Sequence, residues 1–230
     1  MSFGKVVQKE IVKECVKPHS TVMIGGFGGV GNPPTLLDEI LSNQIGPLTV
    51  ICNDTAFPDI GVGKLVCQRL IRKIITSHIG SNPVAGQMME SGELEVEFSP
   101  QGTLAERIRA QGVGLGGILV DIGVNNEIVQ KEKQVLDLNG KNFLLETPLE
   151  ADVALILAKK ADPFGNLTFE KTARNMNPMM AMAAKTTIVE VEELVEMGEL
   201  NPEEIIIPGV FVDYIVQSEG VDWKWAWETK

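Results

Sequence analysis

Hydrophobic residues follow two different periods along this chain. Short apolar runs rich in β-branched residues predict strands, and they include "TVMI", "LTVICND", "KIITSHIG", "LEVEFS", "ADVALILA" and "TTIVEV". Apolar residues at helical spacing predict helices in the segment with Val7, Ile11 and Cys15, in "TLLDEILSN", in "TLAERIRAQG" and in "MNPMMAMAAKT". Strands that alternate with helices predict an α/β fold with an open, mostly parallel sheet and flanking helices.

Individual residues set the expected ends of these helices. Pro18 ends the first helix, and Pro34 lies where the first turn of a helix tolerates proline. Thr103 and Glu106 have the spacing of a capping box, and Gly112 closes the same helix. The methionines of "MNPMMAMAAKT" are more typical of a hydrophobic core than of a functional site.

A different pattern occupies residues 118–145. "VLDLNGKNFLLE" alternates apolar and polar positions around Asn139 and Gly140, which is the strongest short signal for a β-hairpin. We therefore expect a hairpin inserted into the parallel fold. The chain has no evident repeat or linker, so residues 1–230 are interpreted as a single domain.

Composition excludes several classes of function. The formal net charge is −11, which disfavours binding to nucleic acid. No apolar run is long enough to span a bilayer, and the N-terminal "MSFGKVVQKEIVKECVK" lacks an apolar signal core. We therefore expect a cytoplasmic protein without a membrane partner. Three cysteines without C-x-x-C spacing and two histidines disfavour a disulfide framework and a metal site.

The glycine-rich stretch "GGFGGVGNPP" follows the first predicted strand. Gly26, Gly28 and Gly31 match the G-x-G-x-x-G spacing of a dinucleotide site, which is a weak signal when it stands alone. No lysine followed by serine or threonine comes after the glycines, so a P-loop is disfavoured. Prolines remove backbone donors that a phosphate needs. The stretch therefore favours a loop of fixed shape over a set of phosphate-binding amides.

Two polar side chains follow later strands and are candidates for chemistry. Gln101, in "SPQGTLAERIRA", can donate a hydrogen bond into a pocket at the sheet edge, or it can simply occupy a turn. His78, in "SHIGSNP", could act as a general base, although no serine or cysteine is placed as its nucleophile. The better interpretation of His78 is a structural role.

Two further features leave their interpretation open. No glutamate has the glycine-flanked setting that marks a nucleophile, and the run at residues 190–196 is typical of a solvated face. Trp223, Trp225 and Trp227 share one side of an extended tail, which either docks on a partner or packs on this same subunit.

Several motifs in order carry a resemblance to a known family. The segments are "TVMIGGFGGVGNP", "NDTAF", "TSHIGSNP", "SPQGTLAERIRA", "GLGG", "LLETPLEADVALI" and "ARNMNPMMAMAA". With them the chain resembles the alpha subunit of family I, 3-oxoacid type, CoA-transferases, nearest the acetate/acetoacetate and butyrate–acetoacetate enzymes. The resemblance implies a NagB/RpiA/CoA-transferase-like fold. It also implies a beta-subunit partner, in an expected α2β2 heterotetramer.

The resemblance implies a ping-pong reaction between an acyl-CoA and a short-chain carboxylate. CoA passes through a glutamyl-CoA thioester on the beta subunit, and coenzyme A is a substrate, so no cofactor is expected. Gln101 is implied to stabilise the thioester oxyanion. The glycine loop is implied to contact CoA through Gly25, Gly26, Phe27, Gly28, Gly29, Val30 and Gly31. Candidates for the substrate pocket are Asn53, His78, Gly80, Asn82, Asp121 and Gly123.

One segment departs from the family pattern. After "GLGG" the family usually reads Thr-Pro-Thr-Gly-Val-Gly-Thr, whereas this chain has "VDIGVNNEI" at positions 120–128. Asp121 and the Asn125-Asn126 pair are therefore expected to alter carboxylate specificity. The departure also supports a second hypothesis, a non-catalytic module that binds CoA or a nucleotide. An NAD-dependent dehydrogenase is the third.

Overall fold

The computed structural model describes residues 4–224, and the elements follow the order that the hydrophobic pattern predicts. Its α-helices are α1 (Ile11–Cys15), α2 (Pro34–Ser42), α3 (Val62–Cys67), α4 (Pro83–Ser91), α5 (Gln101–Gly112), α6 (Glu127–Gln130) and α7 (Asn177–Ala183). Its strands are β1 (Thr21–Ile24), β2 (Leu48–Ile51), β3 (Ile71–Thr76), β4 (Glu95–Phe98), β5 (Ile118–Val120), β6 (Val135–Leu138), β7 (Lys141–Glu146), β8 (Ala151–Ala161), β9 (Leu167–Thr168), β10 (Ala184–Leu194) and β11 (Tyr214–Gln217). Short 3₁₀ turns cover Lys171–Arg174, Pro202–Glu204 and Gly209–Phe211.

The main sheet has the strand order β11-β10-β8-β1-β2-β3-β4 across the described residues. Neighbours along this path pair in parallel, and the short β9 adds to β8 in the antiparallel sense. This confirms the predicted open, mostly parallel sheet. In such sheets functional groups collect at the carboxyl ends of the strands.

Helices cover both faces of the sheet. Val22 and Ile24 of β1 pack on the side of α1–α4, whereas Met23 packs on the side of α5 and α7. Alternate residues of a strand point to opposite faces, so each face forms its own hydrophobic core. The methionine stripe belongs to the second core, with Met180 fully buried, which confirms its structural interpretation.

The predicted hairpin is confirmed, and it belongs to a separate antiparallel sheet of order β5-β7-β6. Asn139 and Gly140 have φ angles of 56° and 81°, the left-handed values that a two-residue hairpin turn requires. This small sheet lies between α5 and β8 in the chain.

Three local predictions were wrong. The run at residues 190–196 is not a uniformly solvated face, because Glu190 of β10 is fully buried. The first helix begins at Ile11, because the backbone around Val7 pairs with Ile215 of the edge strand β11 instead. Helix α5 begins at Gln101, directly after Pro100, so Thr103 is a buried residue of its first turn and makes no capping bond. Among residues 4–224, no helix combines the length and hydropathy needed to cross a bilayer.

Candidate functional site

The carboxyl ends of four neighbouring strands bring the predicted site segments together. The glycine loop follows β1, Asn53 follows β2, His78 follows β3, and Gln101 follows β4. A cavity of about 350 Å³ lies among them, and its lining residues are Phe27, Gly28, Asn53, Asp54, Ser77, His78, Ser81 and Gln101. The main sequence candidates therefore meet in one place.

A chain of hydrogen bonds joins Gln101 to the glycine loop. Gln101 Nε2 donates to Asn53 Oδ1 at 2.8 Å, and Asn53 Nδ2 donates to Asp54 Oδ2 at 2.6 Å. The Gly28 amide donates to the same Asp54 oxygen at 2.9 Å. Asn53 is buried while Gln101 is exposed, so a fixed side chain positions a donor that faces the cavity.

The backbone of Asn53 is held as firmly as its side chain. Its carbonyl oxygen accepts from Thr76 Oγ1 at 2.9 Å and from Ser77 Oγ at 2.7 Å. Both donors come from the end of the neighbouring strand β3. The sequence offered no signal that these hydroxyls would support the residue that orients Gln101.

The tip of the glycine loop is a tight two-residue turn. Phe27 and Val30 exchange backbone hydrogen bonds of 2.9 and 3.1 Å across it. Gly28 and Gly29 between them have φ angles of 57° and 96°, which favour glycine at both positions. A Cβ on Gly29 would also lie 2.5 Å from Ile60 Cγ2, so the loop passes too close to a neighbour for any side chain there.

Most amides of the loop already have acceptors within the protein. The Gly25 amide donates to Leu155 O at 3.0 Å and the Gly26 amide to Asn175 Oδ1 at 3.2 Å, while Gly28 donates to Asp54. A phosphate cradle needs free amides pointing at the anion, and here a carboxylate already stands at the loop tip. The geometry therefore disfavours the dinucleotide interpretation and agrees with a loop of fixed shape.

Three asparagine side chains clamp the loop, and sequence reasoning missed this role. Asn32 Nδ2 donates to Gly25 O, and Asn175 Nδ2 donates to Val30 O at 3.2 Å. Asn177 Nδ2 donates to Gly31 O at 3.2 Å, while its Oδ1 accepts from the Leu157 amide at 3.3 Å. Asn177 is the first residue of α7 and Asn175 lies two residues before it, both far along the chain. Their one signal was their place in the segment "ARNMNP".

The tryptophan tail packs on this same subunit at its first residue. Trp223 is buried and contacts Val30, Ile60 and Ala173 in a small cluster under the glycine loop. Trp225 and Trp227 lie outside the described residues. Trp223 therefore supports the loop from below.

The histidine segment contributes Ser77, His78 and Ser81 to the cavity lining and two residues with structural roles. Gly80 packs against the His78 ring, since a Cβ there would lie 2.8 Å from His78 Cε1. Asn82 is buried and caps α4 by accepting from the Val84 amide at 3.1 Å. Asn82 therefore has a structural role that the sequence interpretation did not include.

Asp121 and Gly123 lie in the small sheet region and do not line the cavity. Asp121 pairs with Lys141 at 2.5 Å, and that hydrogen bond lowers the pKa of the exposed carboxyl. Gly123 turns the chain with φ of 89°, and a Cβ there would clash with Val129. The structure does not bring these two candidates together with Gln101.

The carboxylate that lines the cavity is engaged in hydrogen bonds within the protein. This carboxylate, Asp54, accepts from Asn53 Nδ2, from the Gly28 amide and from the Ala56 amide at 2.8 Å. Cys52 is buried behind it, and desolvation raises the pKa of this thiol well above its usual range. A thiol in that state is unreactive.

The first turn of α5 places a partial positive charge beside Gln101. The first amides of a helix lack intrahelical acceptors, and the helix dipole adds a partial positive charge there. Gln101 is the first residue of this 12-residue helix. The site is therefore suited to stabilise a developing negative charge on an oxygen atom.

Comparison with known proteins agrees with this geometry. The family model described as Coenzyme A transferase matches residues 6–218. A relative named "Probable coenzyme A transferase subunit alpha" from Bacillus subtilis (strain 168) is 56% identical over 98% of this chain and 99% of its own. The acetate CoA-transferase subunit alpha of Escherichia coli (strain K12) is 51% identical over 86% of this chain and 90% of its own.

A solved structure extends the likeness to the fold. The acyl-CoA transferase of Escherichia coli O157:H7, in its thioester complex with CoA, matches with a TM-score of 0.83 at 22% identity. The match covers 96% of this chain and 51% of that one. The family model and the relatives together lead to one conclusion: this chain belongs to the coenzyme A transferase family, among the alpha subunits of such enzymes.

Proposed function

We propose that the chain works with a beta subunit to move CoA between a short-chain acyl-CoA and a carboxylic acid of the acetate, butyrate or acetoacetate class. The observation that carries this proposal is the cavity at the strand ends. It presents the Gln101 amide and a helix N-terminus, while its own carboxylate is fully engaged. The name of the acetate CoA-transferase relative supports the substrate class.

The reaction we propose is ping-pong. A glutamate carboxylate of the beta subunit attacks the thioester carbonyl, and the tetrahedral intermediate then expels CoA as its thiolate and leaves a mixed acyl-glutamyl anhydride. The thiolate then attacks the glutamyl carbonyl, which releases the first carboxylic acid and leaves a glutamyl-CoA thioester. The second carboxylate reverses these steps. Each attack makes a tetrahedral oxyanion, to which Gln101 Nε2 and the first amides of α5 can donate.

Gln101 is suited to this task because Asn53 limits its motion. One of its amide hydrogens is bound to Asn53 Oδ1, which leaves the second directed away from that bond. The glycine loop, with Phe27 at its edge, forms the opposite wall along which CoA passes. The enzyme is proposed to be a cytoplasmic α2β2 heteromer that uses coenzyme A as substrate and needs no other cofactor.

Co-expression with the beta subunit tests the proposal. We expect the isolated chain to lack transfer activity and the co-purified heteromer to exchange CoA between acetoacetyl-CoA and acetate. A catalytically active isolated chain would overturn the division of labour between subunits. A heteromer that binds CoA without transferring it would favour the non-catalytic module instead.

A further inference from the structure

The phosphate groups of CoA need cationic partners that the glycine loop does not supply. Its amides are largely bonded within the protein, and Asp54 places a carboxylate at its tip. The whole chain carries a formal charge of −11, so most of its surface repels phosphate. Any phosphate subsite on this chain must therefore be a local group of basic side chains.

Such a group lies on the other side of Phe27. A second cavity, of about 550 Å³, is lined by Phe27, Val30, Lys171, Thr172, Arg174 and Asn175. Phe27 lines this cavity and the cavity of Gln101 alike, so the two meet at the glycine loop. Asn175 fixes the shared wall through its bond to Val30 O.

The two basic residues of this cavity differ in their surroundings. Lys171 pairs with Glu170 at 3.2 Å. Arg174 is exposed and forms no ion pair with a carboxylate of residues 4–224, whereas Arg69, Arg107 and Arg109 each pair with a glutamate. An arginine without a carboxylate keeps its planar set of donors for a ligand, and that set matches phosphate oxygens.

We infer that this second cavity binds the phosphate groups of CoA, with Arg174 as the main partner and Lys171 as an additional cation. The inference rests on the proposed function, since it extends the same substrate across the glycine loop. The thioester then lies beside Gln101, the phosphates lie beside Arg174, and the pantetheine arm crosses the exposed ring of Phe27. The apolar surface of Phe27 and Val30 suits the uncharged part of that arm.

Substrates with and without the phosphate and adenosine groups of CoA test this assignment in the purified heteromer. The kcat/KM of Arg174→Ala is compared for acetoacetyl-CoA and for acetoacetyl-pantetheine, which has no phosphate. Charge-assisted hydrogen bonds contribute about 1.5–3 kcal/mol, so we expect kcat/KM for the CoA ester to fall on the order of 10- to 100-fold. The value for the pantetheine ester should stay unchanged.

Arg72→Ala is the matched control. Arg72 is an exposed arginine of β3, and no carboxylate of the described residues pairs with it, but it lines neither cavity. Arg72→Ala changes the net charge by the same amount as Arg174→Ala, and it should leave kcat/KM for both esters unchanged. Arg174→Lys keeps the charge but loses the planar donors, and it should show an intermediate loss for the CoA ester alone.

The possible results distinguish a failure of the phosphate assignment from a failure of the proposed transfer activity. Equal effects of Arg174→Ala on both esters, or no effect on either, would overturn the phosphate assignment while an active heteromer keeps the proposed function. A wild-type heteromer without transfer activity would overturn both. Thermal unfolding of each variant shows whether a loss comes from misfolding, and Arg174→Gln provides a second variant of similar size.

Discussion

Replacing Gln101 by alanine removes the donor on which the oxyanion argument depends. The side chain is exposed, so its loss opens no core cavity, and surface changes of this kind usually alter stability by less than about 0.5 kcal/mol. Removing one oxyanion donor typically costs about 10²–10³ in kcat, or about 2.7–4 kcal/mol. We therefore expect Gln101→Ala to lower kcat of the heteromer at least tenfold, with little change in its melting temperature.

Asn53 provides the structural test of the same idea. Asn53→Ala removes the 2.8 Å bond that holds Gln101, and a released glutamine side chain regains rotamer freedom of up to about 2 kcal/mol. We expect kcat to fall by about tenfold from this freedom. If Asn53 acts through Gln101, the double variant should have nearly the same kcat as Gln101→Ala alone.

Steady-state transfer between acetoacetyl-CoA and acetate measures all three variants, together with urea unfolding. Asn53→Ala also deprives Asp54 of one donor, which should cost about 1–3 kcal/mol of stability, so rates are compared at temperatures where every variant is folded. A kcat for Gln101→Ala within twofold of wild type would remove Gln101 from the mechanism. Multiplied losses in the double variant would show that Asn53 acts independently of Gln101.

The glycine turn and a buried carboxyl allow two further matched tests. Gly28 and Gly29 both have positive φ angles, of 57° and 96°, but a Cβ on Gly28 would meet open space, whereas one on Gly29 would lie 2.5 Å from Ile60 Cγ2. Gly29→Ala should therefore lower the melting temperature and kcat more than Gly28→Ala does. Equal effects would contradict the role of the Ile60 contact. Desolvation raises the pKa of Glu190 to about 7 from 4.5, so the folded state binds the proton more tightly and stability falls as pH rises through this window. Relative to wild type, Glu190→Gln should therefore gain about 2.5 kcal/mol in free energy of unfolding between pH about 5 and about 8, and parallel pH profiles of this free energy would refute this.

The parallel sheet could be predicted because its strands are buried on both faces and read as continuous apolar runs. The run "ADVALILA" became part of β8, which pairs with β1 and β10. The first helix was overextended because the backbone near Val7 pairs with Ile215, a partner more than 200 residues away. Local periodicity carries no information on such a long-range pairing.

The site, too, has residues that the sequence predicts and residues that it does not. Gln101 and the glycine loop follow strands directly, so a parallel sheet brings them to one edge. Two of the three asparagines that clamp the loop, Asn175 and Asn177, lie about 150 residues further along the chain. Their bonds depend on how α7 packs beside β1 and β8, and no local pattern in the sequence encodes that contact.

In the proposed mechanism this chain supplies oxyanion donors, while the beta subunit supplies the nucleophile. Borohydride reduction of the heteromer in the presence of acetoacetyl-CoA converts a glutamyl thioester into the corresponding alcohol, and peptide mass mapping then locates it. We expect one modified glutamate, on the beta subunit, and no modified residue on this chain. A reduced glutamate or aspartate on this chain would contradict it.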